Sequence, residues 1–211
     1  MTHRNDRIGT LEITGVGRVD VRPDVAVLFL GVVTEGRTAE EASTRNAEKA
    51  NEVVERLTRL EIPRTDLRTV GLNLYPIYQT QPGTDVSTII GYRFQNLIMA
   101  RVPVQLAPKA FDAAVAAGVN ESSGITFELR DERPYRQQAL ELAIKAAQLE
   151  AETLSRAMGV TLRGPRSAQV VEGGGPLRIV SERLAARAPT PILPGTMTVT
   201  AEVRLVFEYA G

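Results

Sequence analysis

The chain has no cysteine, no tryptophan and one histidine, His3, which sits in a polar N-terminal stretch. Without cysteine there are no disulfides and no thiolate metal sites. Without a histidine in the folded core, the side chain that most often moves protons near neutral pH is missing. These absences shift the expected class from enzyme toward a binding, assembly or structural protein; no catalytic residue, no metal ligand and no cofactor is assigned. An excess of charge of either sign is missing too, with 25 basic and 25 acidic residues. No net field draws the chain onto nucleic acid, which is not expected as a partner. The longest apolar run, Val25 to Val33, is about half of what a membrane-crossing helix needs, so no transmembrane segment is expected. The first eight residues lack the apolar stretch of a secretory leader. The expected compartment is therefore the cytoplasm, or the periplasm or cell envelope if a leader has been removed.

Periodicity supplies the elements. Leu11 and Ile13 alternate with polar neighbours, Gly15-Val16-Gly17 interrupts them, and a β-branched and aromatic run follows Pro23-Asp24. Thr38-Ala39-Glu40-Glu41 has the form of a capping box. It precedes Ala42, Asn46, Ala50, Val53, Leu57 and Leu60 at helical spacing, closed by Pro63. Val70, Leu72 and Leu74 share one face of a strand. After a loop from Gln79 to Ser87, a second strand from Ile90 to Val104 carries Ile90, Tyr92, Phe94, Ile98, Ala100 and Val102 on one face. A short helix over 108–117, a strand with Ile125, Phe127 and Leu129 inward, and a long helix over 134–158 ended by Gly159 come next. A short strand around Ala168 to Val171 and a long one from Thr196 to Tyr209 complete the set. Between those strands, residues 173–195 form a Gly/Pro-rich span expected to be mobile, with a short helix where Leu177, Val180 and Leu184 fall at helical spacing. The expectation is one α+β domain over 9–211 after a tail of residues 1–8. It has a mostly antiparallel sheet of about seven strands, with two long helices and one short helix packed on it.

Candidate chemistry is sparse. Gly15-Val16-Gly17 lacks the third glycine and the following helix of a dinucleotide fingerprint, and reads as a bulge or tight crossing. Glu40-Glu41 and Asp131-Glu132 stand at helix starts, where carboxylates favour the dipole. Ser122-Ser123 has no base in reach along the sequence. Tyr75, Tyr78 and Tyr92 form a candidate aromatic surface for a sugar or small ligand.

Several motifs in order resemble those of the SIMPL domain family, which includes YggE-like and periplasmic immunogenic proteins. They are Ile13-Thr-Gly-Val-Gly17, Pro23-Asp24-Val-Ala26, Ala42 with Asn46, Asp66-Leu-Arg-Thr69, Leu74-Tyr-Pro-Ile-Tyr78, Ile90-Gly-Tyr-Arg93, Met158-Gly159 and Ile192-Leu-Pro-Gly195. The resemblance implies an α+β fold, no defined catalytic residues and no cofactor. For bacterial members it implies homo-oligomers built from dimers, rings or channel-like shells, linked to protection from oxidative stress. The chain departs from the family in carrying Glu61-Ile62 where Gly-Ile is usual, which leaves the exact end of the first helix open.

The expected partner is a second copy of the chain. Both parities of the Val25 to Val33 run are apolar, and Leu97 and Met99 lie on the otherwise polar parity of the next long strand. With the helices on the Val25, Val27, Phe29 side, Leu28, Leu30, Val32, Leu97 and Met99 are expected to form an apolar patch for a symmetric partner. The alternative is that the C-terminal strand or the 173–195 span covers it.

Overall fold

The computed structural model describes residues 8–80, 87–171, 178–180 and 191–211. In chain order the elements are β1 (Ile8–Val21), β2 (Val25–Gly36), α1 (Ala39–Arg59), β3 (Leu67–Thr80), β4 (Ser87–Pro103), α2 (Ala107–Ala116), β5 (Glu121–Glu128), α3 (Arg133–Met158), β6 (Thr161–Val171), β7 (Arg178–Val180) and β8 (Thr196–Ala210). The fold is α+β and its strand pairs are antiparallel, as the periodicity implies. The strands are shared between two sheets, ordered β3-β4-β2-β5 and β1-β8-β6 with β7 also on β8. The described residues group into two compact units, one of residues 8–22, 131–171, 178–180 and 195–211, the other of residues 23–80, 87–130 and 191–194.

In the second unit α1 starts where the capping box places it. Thr38 Oγ1 accepts the Glu41 amide at 3.1 Å, and the Glu41 carboxylate reaches back to the Arg37 amide at 2.8 Å. Its buried stripe is Ala42, Asn46, Ala50, Val53 and Leu57. Ala50, Val53 and Leu57 of that stripe and Ala107, Ala110 and Ala114 of α2 pack with Ala26, Leu28, Leu30, Val32, Ile98, Ala100 and Val102 of β2 and β4, forming one continuous core with Ile62 and Val119. Two side chains finish the backbone bonding of the sheet. Asn120 both donates to and accepts from the Val33 backbone at 2.8 Å, extending the β5 ladder by one rung. Asp24 accepts the Arg130 amide at 2.8 Å through its carboxylate and the Val104 amide at 3.1 Å through its carbonyl.

The first unit is built from the two ends of the described chain. β1 and β8 pair without a register break from Ile8 with Ala210 to Val21 with Met197. Alternate residues then separate cleanly. Ile13, Val203, Leu205 and Phe207 face α3, whose Ala143, Ala147 and Ala151 meet them. The other face is polar, with Glu12 paired to Arg204 at 3.3 Å and Asp20 accepting the Thr198 hydroxyl at 2.7 Å. This is the pattern of an antiparallel sheet with one face in water. Gly15 and Gly17 are explained by α3: a Cβ on either would lie about 2 Å from the carbonyl oxygens of Ala143 and Ala139. The Gly-Val-Gly motif is a tight crossing of helix over strand, as its incomplete fingerprint implies.

In place of the helix expected around Leu177 to Leu184, Arg178–Val180 is a short strand on β8. The rest of the long Gly/Pro-rich span, apart from residues 191–195, lies outside the described residues, as do His3 and the Pro82-Gly83 loop.

Candidate functional site

The five residues expected to form one apolar patch do not come together. Leu28, Leu30 and Val32 are 1%, 0% and 0% exposed and lie in the core beneath α1 and α2. Register explains the separation. Leu28 pairs with Ala100, Leu30 with Ile98 and Val32 with Asn96, whereas Leu97 pairs with Gly31 and Met99 with Phe29. Paired residues share a face and neighbours along a strand do not, so Leu97 and Met99 project from the opposite side. The helices cover the even-numbered parity of β2, not the odd-numbered parity expected. Val25 and Val27 are buried as well, which accounts for an apolar run in both parities.

The tyrosines are divided in the same way. Tyr75 pairs with Arg93, and Tyr92 pairs with Pro76, the next residue along, so Tyr75 and Tyr92 lie on opposite faces. Tyr78 pairs with Ile89 further out. A shelf of all three rings is therefore absent; what the structure brings together is a larger apolar surface on the same two strands.

That surface follows from how β3 and β4 outrun their neighbours. β2 ends with Gly36 opposite Tyr92, and beyond it Ile77–Thr80 and Ser87–Gly91 continue as a ribbon of two strands. Leu72 opposite Asn96, Leu74 opposite Phe94 and Pro76 opposite Tyr92 share one face. Leu72 is 59% exposed, Leu74 45%, Tyr75 51% and Tyr78 59%, and Val70, Ile89 and Ile90 are exposed too. Val70 sits at a register shift between Thr69 and Gly71. β3 is also an edge of its sheet, and its fourteen residues include one charged side chain, Arg68 at the start. Alternation alone showed that Val70 to Leu74 share a face, but not that the face is uncovered. The missed signal was the lack of charge along β3, since edge strands are ordinarily protected by charged side chains.

Ionisable groups are arranged as surface pairs. Arg93 holds Glu35 beside the ribbon at 2.8 Å, and Arg101 holds Glu128 at 3.0 Å. Hydrogen bonds from Arg133 pull the Asp131 carboxyl below its ordinary value, and the Arg133 guanidinium is raised in return. Both are exposed at the start of α3, where Asp131 also accepts the Arg133 amide at 3.1 Å. Ser122 Oγ accepts the Gly124 amide at the bulge of β5. Among the described residues no group of three or more His, Cys, Asp or Glu is placed to hold a metal ion, and no helix is long and apolar enough to cross a membrane.

A family model described as SIMPL, protein of unknown function (DUF541), matches residues 11–207. The chain is 29% identical over 209 residues to the 26 kDa periplasmic immunogenic protein of Brucella melitensis biotype 1, covering 94% of this chain and 84% of that protein. It is 28% identical over 153 residues to the uncharacterized protein YggE of Edwardsiella ictaluri, covering 72% and 63%. With the YggE protein of Escherichia coli the identity is 24% over 143 residues, covering 67% and 57%.

Proposed function

The chain belongs to the SIMPL family, and from that membership we propose that it is a non-catalytic protein that assembles with copies of itself, using the β3 edge and the apolar face of the β3–β4 ribbon. The observation that carries this reading is the run Thr69–Thr80, an exposed edge strand without a charged residue. A two-stranded ribbon is marginal in water by itself, and an unprotected edge invites a further strand. A second copy related by a two-fold axis offers the same edge in antiparallel orientation, so unpaired backbone groups and apolar side chains are covered in one contact. The resemblance to a family whose bacterial members form oligomers from dimers supports the same partner. With no cysteine in the chain, a protective role in oxidative stress would act through assembly, not through thiol chemistry. The name of the Brucella relative supports a periplasmic location.

The test is the mass in solution of the wild-type chain and of Leu72→Lys with Tyr78→Lys. Both positions are more than half exposed, so the variant keeps its fold by circular dichroism. The expected result is a multiple of 23.0 kDa for the wild type and a monomer for the variant. A monomeric wild type at micromolar concentration, or a variant that assembles unchanged, overturns the reading.

A further inference from the structure

Within the second unit, β5 is the sheet edge opposite β3. Its pairing with β2 shifts between Phe29 and Leu30, where Ser123 is the extra residue of a bulge. On either side of that bulge Ser122, Ile125 and Phe127 pair with Leu30, Leu28 and Ala26, so their side chains share the face that carries the core beneath α1 and α2. Between this face of β5, Phe111 of α2 and residues 191–193 lies a cavity of about 280 Å³. Leu28, which lines it from β2, is buried, and Phe111, Ile125, Phe127 and Ile192 are half-buried against the core. The wall made by residues 191–193 is stiff, because Pro191 and Pro194 bracket Ile192-Leu193, fix φ at both ends and steer Leu193 toward extended backbone. This segment is not a strand; it covers β5 with side chains, Ile192 foremost.

We propose that this cavity binds a small neutral aromatic molecule of one or two fused rings. No charged side chain lines it, and the one polar side chain, Ser122, accepts the Gly124 amide at 3.4 Å. A charged ligand would give up its hydration there for nothing in exchange, which selects a neutral one. Phe111 and Phe127 come from different walls, the helix and the strand, and offer ring faces and edges to a ring placed between them. Size sets the class: an apolar cavity of about 150 Å³ accepts benzene, so this larger one admits a second fused ring. The cavity lies at the other edge of the sheet from β3, and its occupancy does not rest on the assembly reading.

Methyl shifts of the full chain, followed during titration with indole and with sodium indole-3-carboxylate, test the proposal. Indole is expected to give saturable shifts at Leu28, Ile125, Ile192 and Leu193, and the carboxylate to bind at least about ten-fold more weakly, because the lining holds no cation for it. Leu72 and Leu74, exposed on the β3–β4 ribbon, report simple partitioning onto apolar surface and are expected to stay unmoved. Leu193 is 49% exposed, so Leu193→Asp keeps the fold by circular dichroism while placing a charge in the wall. That variant is expected to weaken indole at least about ten-fold. The assignment is overturned if indole gives no saturable shift at the lining methyls, if Leu72 and Leu74 move in step with them, if the carboxylate binds as well as indole, or if folded Leu193→Asp binds indole like the wild type.

Discussion

The Ile62 amide donates to the Leu57 carbonyl at 3.4 Å, closing α1 from one residue beyond a left-handed turn at Glu61, where φ is 62°. Glu61 itself donates to the Thr58 carbonyl at 3.0 Å. The same pair of bonds ends the other two helices, around Gly118 in α2 and Gly159 in α3. Glycine takes that conformation freely, and Glu61 is the one residue other than glycine that adopts it among the described residues. The bond is held by burial: Leu57 and Ile62 are both in the core, the apolar contact that accompanies this kind of helix end. Glu61→Gly is expected to raise stability by about 0.5–1 kcal/mol, the relief of left-handed strain less the greater freedom of the unfolded chain. Glu61→Val is expected to lower it. Thermal unfolding checks both, and a glycine variant that melts below the wild type refutes the account.

The close approach of α3 to β1 makes Gly15 and Gly17 intolerant of a single methyl group. Gly17→Ala is expected to cost at least about 1–3 kcal/mol, since the added carbon meets backbone that cannot rotate away. Gly164→Ala, on the β6 strand of the same unit with nothing within 4 Å of the added carbon, is the control and is expected to be near neutral. Urea unfolding of the two variants distinguishes them. Equal losses would remove the crossing as the reason for the motif.

Asn46 is a buried polar residue in the middle of an apolar stripe. Its Nδ2 donates to the Val32 carbonyl at 2.7 Å and the Phe94 carbonyl at 3.3 Å, so it ties α1 to two strands at once. Asn46→Ala is expected to cost about 1–3 kcal/mol by leaving those carbonyls without their donor. Asn46→Asp is expected to be worse at pH 7, where an ionised carboxylate would face two carbonyl oxygens. Burial disfavours that charge and raises its pKa, so the loss is expected to shrink as pH falls and the acid gains a proton to donate. Unfolding measured at neutral and mildly acidic pH gives the sign. An Asp variant as stable as the wild type at pH 7 contradicts it.

Asp131 and Arg133 form the local pair whose ionisation departs from ordinary values. With its carboxyl held low by Arg133, Asp131 contributes stability that is present above the unfolded value of about 3.9 and lost as pH falls through the folded one. Exposure keeps that contribution small. Carboxyl carbon shifts followed through an acid titration are expected to show Asp131 titrating below the ordinary aspartate value, and Arg133→Ala is expected to raise its midpoint. A midpoint unmoved by the substitution would assign the shift to another cause.

Much of the architecture is legible in residue order. The hydroxyl and carboxylate of Thr38 and Glu41 mark the start of α1, its apolar stripe marks the buried face, and Gly159 marks the end of α3. Other features depend on what is distant in sequence. Period-two alternation identifies the faces of β2 but not which face α1 takes, and that choice sent Leu28, Leu30 and Val32 into the core while Leu97 and Met99 lie on the far side. β3 runs through Tyr75-Pro76 to Thr80, beyond the face that Val70, Leu72 and Leu74 mark in the sequence. Proline is tolerated there because an edge strand needs no amide on its open side. Alternation marks only the end of β6, Ala168 to Val171, because Gly164 and Pro165 interrupt its pattern at a register shift. The candidate site was legible in part: Tyr75, Tyr78 and Tyr92 pointed to the correct two strands, although their rings do not share a face.

The pairing of β1 with β8 bears on how this protein is made. Asp20 and Thr198 meet across 178 residues of chain, whereas the β2–β5 sheet with α1 and α2 is assembled from residues 23–130. At synthesis rates of about 5–20 residues per second, β1 leaves the ribosome on the order of ten seconds or more before its partner strand exists. During that interval its alternating apolar face has no sheet to join, while the elements that follow it can already condense. β1 is thus the part of the nascent chain most in need of protection, by a holding chaperone or by slow release, until the last strand emerges.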